Sequence, residues 1–269
     1  MSFPGFIDIH THILPSVDDG PDEIEESIRM AERMAAAGVK IAVATPHKLP
    51  GTYDATRREV DKRLKELRDA LEERGIDLQV LPGRECYLGP ELLDYLQEGK
   101  REEITLAGTR YVLVELPFHE IPLYADDLLS KLQFNGLTPI IAHPERNSVI
   151  ARDPNLLEEH IGKGRLFQVN ASSLLGRYGK KTRRIAEILV KHRFAHLVAS
   201  DMHSSKSAPL PQAYERAVKL VGEREAMRLF YENPLAVIGN RRITPPTPIR
   251  YKPKRGISKL FSIFKRGSG

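Results

Sequence analysis

The chain has 269 residues, a single cysteine and no tryptophan. Because Cys86 has no partner, no disulfide can form within the chain, and a reducing, cytoplasmic location is expected. No run approaches the roughly 20 apolar residues that a membrane-spanning helix needs. Residues 1–5 are too short for the apolar region of a signal peptide, so none is expected. A disulfide-stabilised secreted scaffold and an integral membrane protein are therefore both disfavoured.

Excess positive charge is absent from most of the chain. The net charge of +5 comes from the last twenty residues, which hold seven basic side chains and no acidic one, whereas residues 1–249 hold 34 basic and 36 acidic side chains. A nucleic-acid-binding domain needs basic residues across its body. The non-enzyme alternative, a nucleic-acid-binding domain with a structural metal, is therefore the weaker explanation.

Short apolar segments rich in β-branched residues alternate seven times with helical segments. This order predicts an α/β fold with a parallel sheet. Residues 1–242 are expected to form one domain, and the Pro-rich, basic segment 243–269 is expected to be a flexible tail. The predicted strands are 6–10, 39–44, 76–81, 111–116, 138–142, 166–169 and 196–199.

Polar side chains follow nearly every predicted strand. His10 and His12 end the first strand and share a face with Asp8, because side chains alternate along an extended chain. In a closed parallel barrel all such strand ends meet at one mouth, which favours a seven-stranded barrel over an open sheet. The candidates after the strands are His10, His12, Asp18, Asp19, His47, Glu85, Glu115, His143, Arg146, Asp201 and His203.

Five strand-end histidines with carboxylates exceed the needs of one ion, since a catalytic zinc site uses about three protein ligands. Nitrogen and oxygen ligands without thiolate suit manganese, iron or zinc. Two or three such ions would make hydroxide from a bridging water and clamp a phosphoryl group. Arg146 would bind the phosphate, with Arg84 and Arg177 as weaker candidates. Glu115 would anchor ligands or donate a proton, and the role of His119 stays open.

Other phosphatase and hydrolase chemistries lack their motifs. A cysteine-dependent phosphatase would need arginine six residues after its nucleophile, where this chain has Leu92. Neither a G-x-x-x-x-G-K-[ST] phosphate loop nor a G-x-S-x-G serine elbow occurs. A metal-dependent amidohydrolase also begins with His-x-His, but it usually has a lysine or a similar bridging ligand after the fourth strand, where this chain has Glu115.

Six short segments stand in a fixed order along the chain: D-I-H-T-H-I-L-P-x-V-D-D-G, A-T-P-H, G-x-E, A-H-P-E-R, N-A-S-S-L-L-G-R-Y-G and S-D-M-H. Together they resemble the PHP (polymerase and histidinol phosphatase) superfamily, and more narrowly the manganese-dependent protein-tyrosine phosphatases of bacterial capsule and exopolysaccharide loci. The resemblance covers residues 6–240. Histidinol-phosphate phosphatase, which shares the fold and the metals, is the alternative.

The resemblance implies a distorted seven-stranded, TIM-like barrel with two or three manganese ions, iron or zinc being possible. It implies that the substrate is the phosphotyrosine tail of a bacterial tyrosine kinase. It also implies that Arg146 holds the phosphate and Glu115 assists. One ion would be bound by His10, His12, Glu85 and Asp201, a second by Glu85 and His143, and a third by Asp18, His47 and His203.

The end of the chain carries a separate hypothesis. Residues 257–265 mix apolar and basic side chains, a pattern found in helices that lie on a membrane surface. The tail is therefore either a disordered solubilising segment or a contact with the inner membrane surface. Liposome flotation with and without residues 250–269 distinguishes the two.

Overall fold

The structure, a computed structural model, describes residues 3–253. Its strands are β1 (Phe6–Thr11), β2 (Val39–Ala44), β3 (His47–Lys48), β4 (Gln79–Pro82), β5 (Glu85–Tyr87), β6 (Tyr111–Glu115), β7 (Thr138–Ala142), β8 (Leu166–Asn170) and β9 (Leu197–Ala199). Its α-helices are α1 (Ile24–Ala36), α2 (Arg57–Glu73), α3 (Glu91–Gln97), α4 (Ala125–Phe134), α5 (Ser148–Arg152), α6 (Leu157–Gly162), α7 (Ala171–Leu174), α8 (Gly179–Lys191), α9 (Leu210–Val221), α10 (Glu223–Met227) and α11 (Asn233–Ile238).

The paired strands run parallel in two sheets. One sheet has the order β1-β2-β4, and the other has the order β3-β5-β6-β7-β8-β9. The carboxyl ends of β1 and β9 are joined by hydrogen bonds, from the His12 amide to the Met202 carbonyl and from the Asp201 amide to the His10 carbonyl, each 2.9 Å long. The expected α/β fold with parallel strands is confirmed, and the strand ends of both sheets lie on one side.

The strand count differs from the expected seven because two predicted strands continue beyond an interruption. Pro46, which has no amide hydrogen, separates β2 from β3, and Gly83 separates β4 from β5. A Cβ on Gly83 would come within 2.7 Å of Val43 Cγ1, so this close approach requires glycine. The two short strands begin with candidate site residues, His47 and Glu85.

Apolar side chains form one layer inside the strands and another beneath the helices. Ile7, Ile9 and Leu113 belong to the inner cluster, whereas α2 buries Val60 and Leu71 in the outer one. Thr56 begins α2 with a reciprocal capping bond to Glu59. The strands are therefore covered on both sides, as near-continuous apolar runs predict.

The segment 243–253 has no helix or strand but contacts the domain. The Ile249 amide donates to the His192 carbonyl at 2.8 Å, and the Tyr251 amide donates to Asn155 Oδ1 at 2.7 Å. The predicted membrane-surface segment 257–265 lies outside the described residues. Across residues 3–253, no helix has both the length and the apolarity needed to cross a bilayer.

His196 is a neutral histidine buried away from the strand-end residues. Its Nδ1 accepts a hydrogen bond from the Phe167 amide at 3.1 Å, and its Nε2 meets no hydrogen-bond partner within residues 3–253. Burial lowers the pKa of His196 to about 3, and the charge of Arg228 acts in the same direction. Folding therefore prevents this imidazole from taking up a proton that the unfolded chain binds near pH 6.5.

We expect acid to destabilise the protein through His196. Between pH 6.5 and 4.5 the imidazole is increasingly protonated in the unfolded state and stays neutral in the folded state, which lowers the free energy of unfolding by about 2 kcal/mol. His196→Gln keeps a hydrogen-bond acceptor but cannot be protonated, so its stability should fall less over this range. Urea unfolding at both pH values measures the difference. His119→Gln, at an exposed histidine, is the control, and equal pH dependence in all three proteins would contradict the prediction.

Candidate metal centre

The end of β1 places two imidazoles side by side. His10 and His12 are fully buried, and their Nε2 atoms lie 3.2 Å apart. Asp8 does not join them, because the pairing of β1 with β2 is irregular between Asp8 and Thr11. Asp8 instead accepts a hydrogen bond from the Ser200 amide at 3.0 Å, which ties β1 to the end of β9.

Glu85 lies at the centre of the cluster. Its Oε1 lies 3.0 Å from His143 Nε2. Its Oε2 lies 3.0 Å from His10 Nε2 and 3.2 Å from both His12 Nε2 and His47 Nδ1. This oxygen is buried and has no hydrogen-bond partner in the described chain. A buried carboxylate oxygen that faces three ring nitrogens without a hydrogen bond fits a shared cation.

Asp201 and His143 enter the site from strained turns after β9 and β7. Both have left-handed backbones, with φ of 54° and 31°, which is uncommon for residues other than glycine. Asp201 Oδ1 lies 3.4 Å from His10 Nε2 and 3.5 Å from His12 Nε2. Burial opposes ionisation of Asp201, but the neighbouring His10 and His12 hold its pKa well below the usual range. The carboxylate is therefore ionised at neutral pH.

The loop after β1 gives its two aspartates different positions. Asp18 Oδ2 lies 2.6 Å from His12 Nδ1 and accepts the His47 amide at 3.0 Å. Asp19 Oδ1 instead lies 3.2 Å from His203 Nε2. A Cβ on Gly20 would come within 2.4 Å of the His12 carbonyl oxygen, so the loop can pass this closely only with glycine.

Three groups of side chains could each hold a cation within residues 3–253. In each group the ligand atoms lie within 4.8 Å of one another. Asp18 and His143 fall outside the groups, although His143 contacts Glu85. The groups are His10 with His12 and Asp201; His47 with Glu85 and Glu115; and His12 with Asp19, His47 and His203.

Arg146 lies beside the cluster between two aromatic rings. Its Cζ lies 4.5 Å from the centroid of the Phe118 ring and 5.0 Å from that of the Tyr178 ring. Its Nη1 donates to Asp201 Oδ2 at 3.4 Å, and 30% of its side chain is exposed. The rings hold the guanidinium beside the carboxylates while leaving it accessible to a ligand.

Glu115 ends β6 within reach of two candidate ligands. Its Oε1 lies 3.6 Å from His143 Nε2, and its Oε2 lies 3.8 Å from His47 Nδ1. Burial raises the pKa of Glu115 to about 7, and the nearby charge of Glu85 adds to the shift. Glu115 is thus the carboxyl of the cluster best suited to exchange a proton near neutral pH.

Supporting residues were missed by the sequence reasoning. Gln168 Oε1 lies 2.9 Å from His10 Nδ1, which orients the imidazole, and Asn170 donates to Asp201 Oδ2. The available signal was a polar side chain in the otherwise apolar strand β8. Nothing local marked Phe118 or Tyr178 as neighbours of Arg146.

The remaining arginine and histidine residues that the sequence brought into consideration lie outside the three groups of candidate metal ligands. Arg84 is buried and donates to the Ala55 carbonyl, so its role is structural. His119 is exposed and belongs to none of the three groups. His160 and His192 contact Arg165 and Ile249, respectively, away from the cluster.

The chain is similar to proteins of capsule synthesis. A family model described as "Capsular polysaccharide synthesis, CpsB/CapC" matches residues 6–239. The tyrosine-protein phosphatase YwqE of Bacillus subtilis is 35% identical over 263 residues, which cover 96% of this chain and all of YwqE. The similarity thus spans every strand and every candidate ligand.

Solved structures share the fold. One from a study of YwqE from Bacillus subtilis and CpsB from Streptococcus pneumoniae, described as metal-dependent tyrosine phosphatases, superposes with a TM-score of 0.86 at 36% identity and covers 91% of this chain and 99% of that chain. A histidinol phosphate phosphatase from Lactococcus lactis has a TM-score of 0.55 at 14% identity and covers 84% of this chain and 94% of that chain. The second likeness concerns the fold alone.

Proposed function

The chain belongs to the CpsB/CapC family of capsular polysaccharide synthesis, and we propose that its strand-end cluster serves the hydrolysis of phosphotyrosine in a partner protein. It is an enzyme, a metal-dependent tyrosine-protein phosphatase. The observation that carries the proposal is the buried Glu85 carboxylate, which contacts four imidazoles while its Oε2 has no hydrogen-bond partner in the described chain.

The cluster is proposed to hold two or three Mn²⁺ ions, with iron and zinc as the alternatives. Bound divalent ions supply Lewis acidity and a water of lowered pKa for attack on phosphorus. The absence of thiolate among the candidate ligands supports a harder cation than copper(I). The proposed ligands are His10, His12, Glu85 and Asp201 for one ion, Glu85 and His143 for a second, and His47, His203 and one carboxylate of the Asp18–Asp19 pair for a third.

Within that pair, the contacts favour Asp19 as the ligand. Both oxygens of Asp18 already accept hydrogen bonds, Oδ1 from the Gly20 amide and Oδ2 from the His47 amide. Asp18 is therefore proposed to orient His12, as carboxylates behind metal-binding histidines commonly do. Asp19 faces His203 and remains available.

Arg146 and Glu115 have separate roles in the proposed reaction. Arg146 would bind two phosphate oxygens with its forked guanidinium, which the contacts with the Phe118 and Tyr178 rings hold beside the cluster. Glu115, with a pKa of about 7, would give its proton to the tyrosyl oxygen as the bond to phosphorus breaks. Neither role requires a covalent bond to the protein.

The proposed substrate is a phosphotyrosine segment of a bacterial tyrosine kinase that regulates capsule or exopolysaccharide synthesis, and the proposed location is the cytoplasm near the inner membrane. The family's description supports a place in capsule synthesis. The domain is proposed to end at residue 242. The two sheets are proposed to form the distorted seven-stranded barrel, with β2 and β3 as one broken strand and β4 and β5 as another.

We expect phosphatase activity that depends on Mn²⁺ and favours phosphotyrosine. The purified protein would be assayed with a phosphotyrosine peptide, a phosphoserine peptide and histidinol phosphate, before and after chelation. Loss of several kcal/mol of metal stabilisation should lower the rate by about 10²- to 10³-fold, and added Mn²⁺ should restore it.

The substrate panel also decides between the related enzymes. A higher kcat/KM for histidinol phosphate than for the phosphotyrosine peptide would assign the protein to the histidinol-phosphate phosphatases. Activity that survives chelation would overturn the metal-dependent reaction.

A further inference from the structure

A basic cavity of about 630 Å³ is lined in part by residues that are close in the chain to the proposed catalytic residues. Its arginines come from separate parts of the chain, Arg29 and Arg33 from α1 and Arg177 from the turn before α8. Ser205 and Ser207, in the loop after β9, add hydroxyl groups. Cationic and hydroxyl side chains that converge from distant segments provide the chemistry of an anion site.

Two of the three guanidinium groups are not paired with a carboxylate of the described chain. Arg29 pairs with Glu26, with 2.8 Å between Nη2 and Oε2. Arg33 donates to the Lys206 carbonyl at 3.4 Å, and Arg177 donates to the Ser207 hydroxyl. Within residues 3–253, neither Arg33 nor Arg177 forms an ion pair with a carboxylate. The one acidic side chain among the lining residues is Glu32.

The cavity is linked to the metal cluster along two short stretches of chain. Arg177 directly precedes Tyr178, whose ring lies 5.0 Å from the guanidinium of Arg146. Ser205 follows His203 by two residues, which span at most about 7 Å. An extended peptide with its phosphotyrosine at Arg146 would therefore bring a residue two to four positions away over the cavity.

We propose that this cavity binds a second anionic group of the same peptide, a carboxylate or a phosphate two to four residues from the phosphotyrosine. The inference rests on the proposed phosphatase function and adds a preference for acidic or doubly phosphorylated segments. Guanidinium groups pair with both kinds of anion through parallel hydrogen bonds, so the cavity accepts either.

Kinetics with matched peptides test the proposal. Three peptides of equal length would each carry one hydrolysable phosphotyrosine. Two to four residues away, the first has glutamine, the second has glutamate, and the third has a non-hydrolysable phosphotyrosine analogue. We expect the anionic flanks to raise kcat/KM roughly tenfold, mainly by lowering KM. Arg33→Gln should remove most of this gain and leave the glutamine peptide unchanged. Arg224→Gln, an exposed arginine outside the cavity that removes the same charge, is the matched control.

The possible outcomes test the anion site separately from the proposed phosphatase function. Equal gains for glutamate and phosphate assign a general anion site, and a larger gain for phosphate assigns a site for a second phosphotyrosine. No gain, or equal losses in Arg33→Gln and Arg224→Gln, would overturn the proposal. Hydrolysis of the glutamine peptide reports on the phosphatase function by itself. If that hydrolysis fails, fluorescence anisotropy of the unphosphorylated glutamate peptide still tests the cavity, because its affinity should fall in Arg33→Gln alone.

Discussion

Glu85→Gln is expected to lower kcat/KM for a phosphotyrosine peptide by about 10³-fold, with loss of bound metal. The amide has nearly the size of the carboxylate but carries no charge. It also places an NH2 group where one of the two Glu85 oxygens now faces an imidazole, Oε2 that of His10 or Oε1 that of His143. The proposed first and second ions would both lose their shared ligand.

Metal content and kinetics must be measured on the same preparation. Glu73→Gln, at an exposed glutamate of α2, removes the same charge and should leave both quantities unchanged. Because Glu85 is buried, circular dichroism and the urea midpoint of the variant would show whether it folds. A folded Glu85→Gln protein with full metal content and wild-type activity would refute the proposed centre.

Arg146→Lys is expected to lower kcat/KM by about 10²- to 10³-fold while metal content stays unchanged. Lysine keeps the positive charge, but it cannot present two parallel donors to a phosphate or stack as a plane between Phe118 and Tyr178. The loss of kcat/KM should therefore occur although the positive charge at this position is kept.

Arg146 also contacts Asp201, a proposed metal ligand, so the experiment must distinguish phosphate binding from support of that carboxylate. Metal analysis separates them, because a supporting role predicts metal loss and a phosphate role does not. Arg152→Lys, at an exposed arginine of α5, is the control. A change of less than twofold in kcat/KM for Arg146→Lys would exclude the phosphate role.

Much of the fold followed from local patterns. Each predicted strand appears in the structure within a few residues of its expected bounds, because apolar runs between amphipathic helices are a local property. The grouping of His10, Glu85 and Asp201 also followed, since parallel strands carry the residues after their carboxyl ends to one side. The interruptions at Pro46 and Gly83 were not expected. The one at Gly83 depends on close packing against Val43 and Leu106, which the strand's own sequence does not show.

Strict alternation failed at the first strand. Regular alternation of side chains predicts that Asp8 faces the same way as His10 and His12. In the structure the register of β1 against β2 is irregular after Asp8, and Asp8 accepts a hydrogen bond from the Ser200 amide instead. Register depends on a partner strand that is distant in sequence, so the first strand alone could not reveal it.

The sequence by itself determined which residue types stand at the strand ends, and hence that imidazole and carboxylate groups without a thiolate surround the candidate site. Only the tertiary structure decided which side chains meet. It turned Asp19 toward His203 and Asp18 toward His12, placed Gln168 behind His10, and enclosed Arg146 between two rings. Residue type and periodicity are local, whereas each of these contacts depends on loop dihedrals and on packing between segments far apart in the chain.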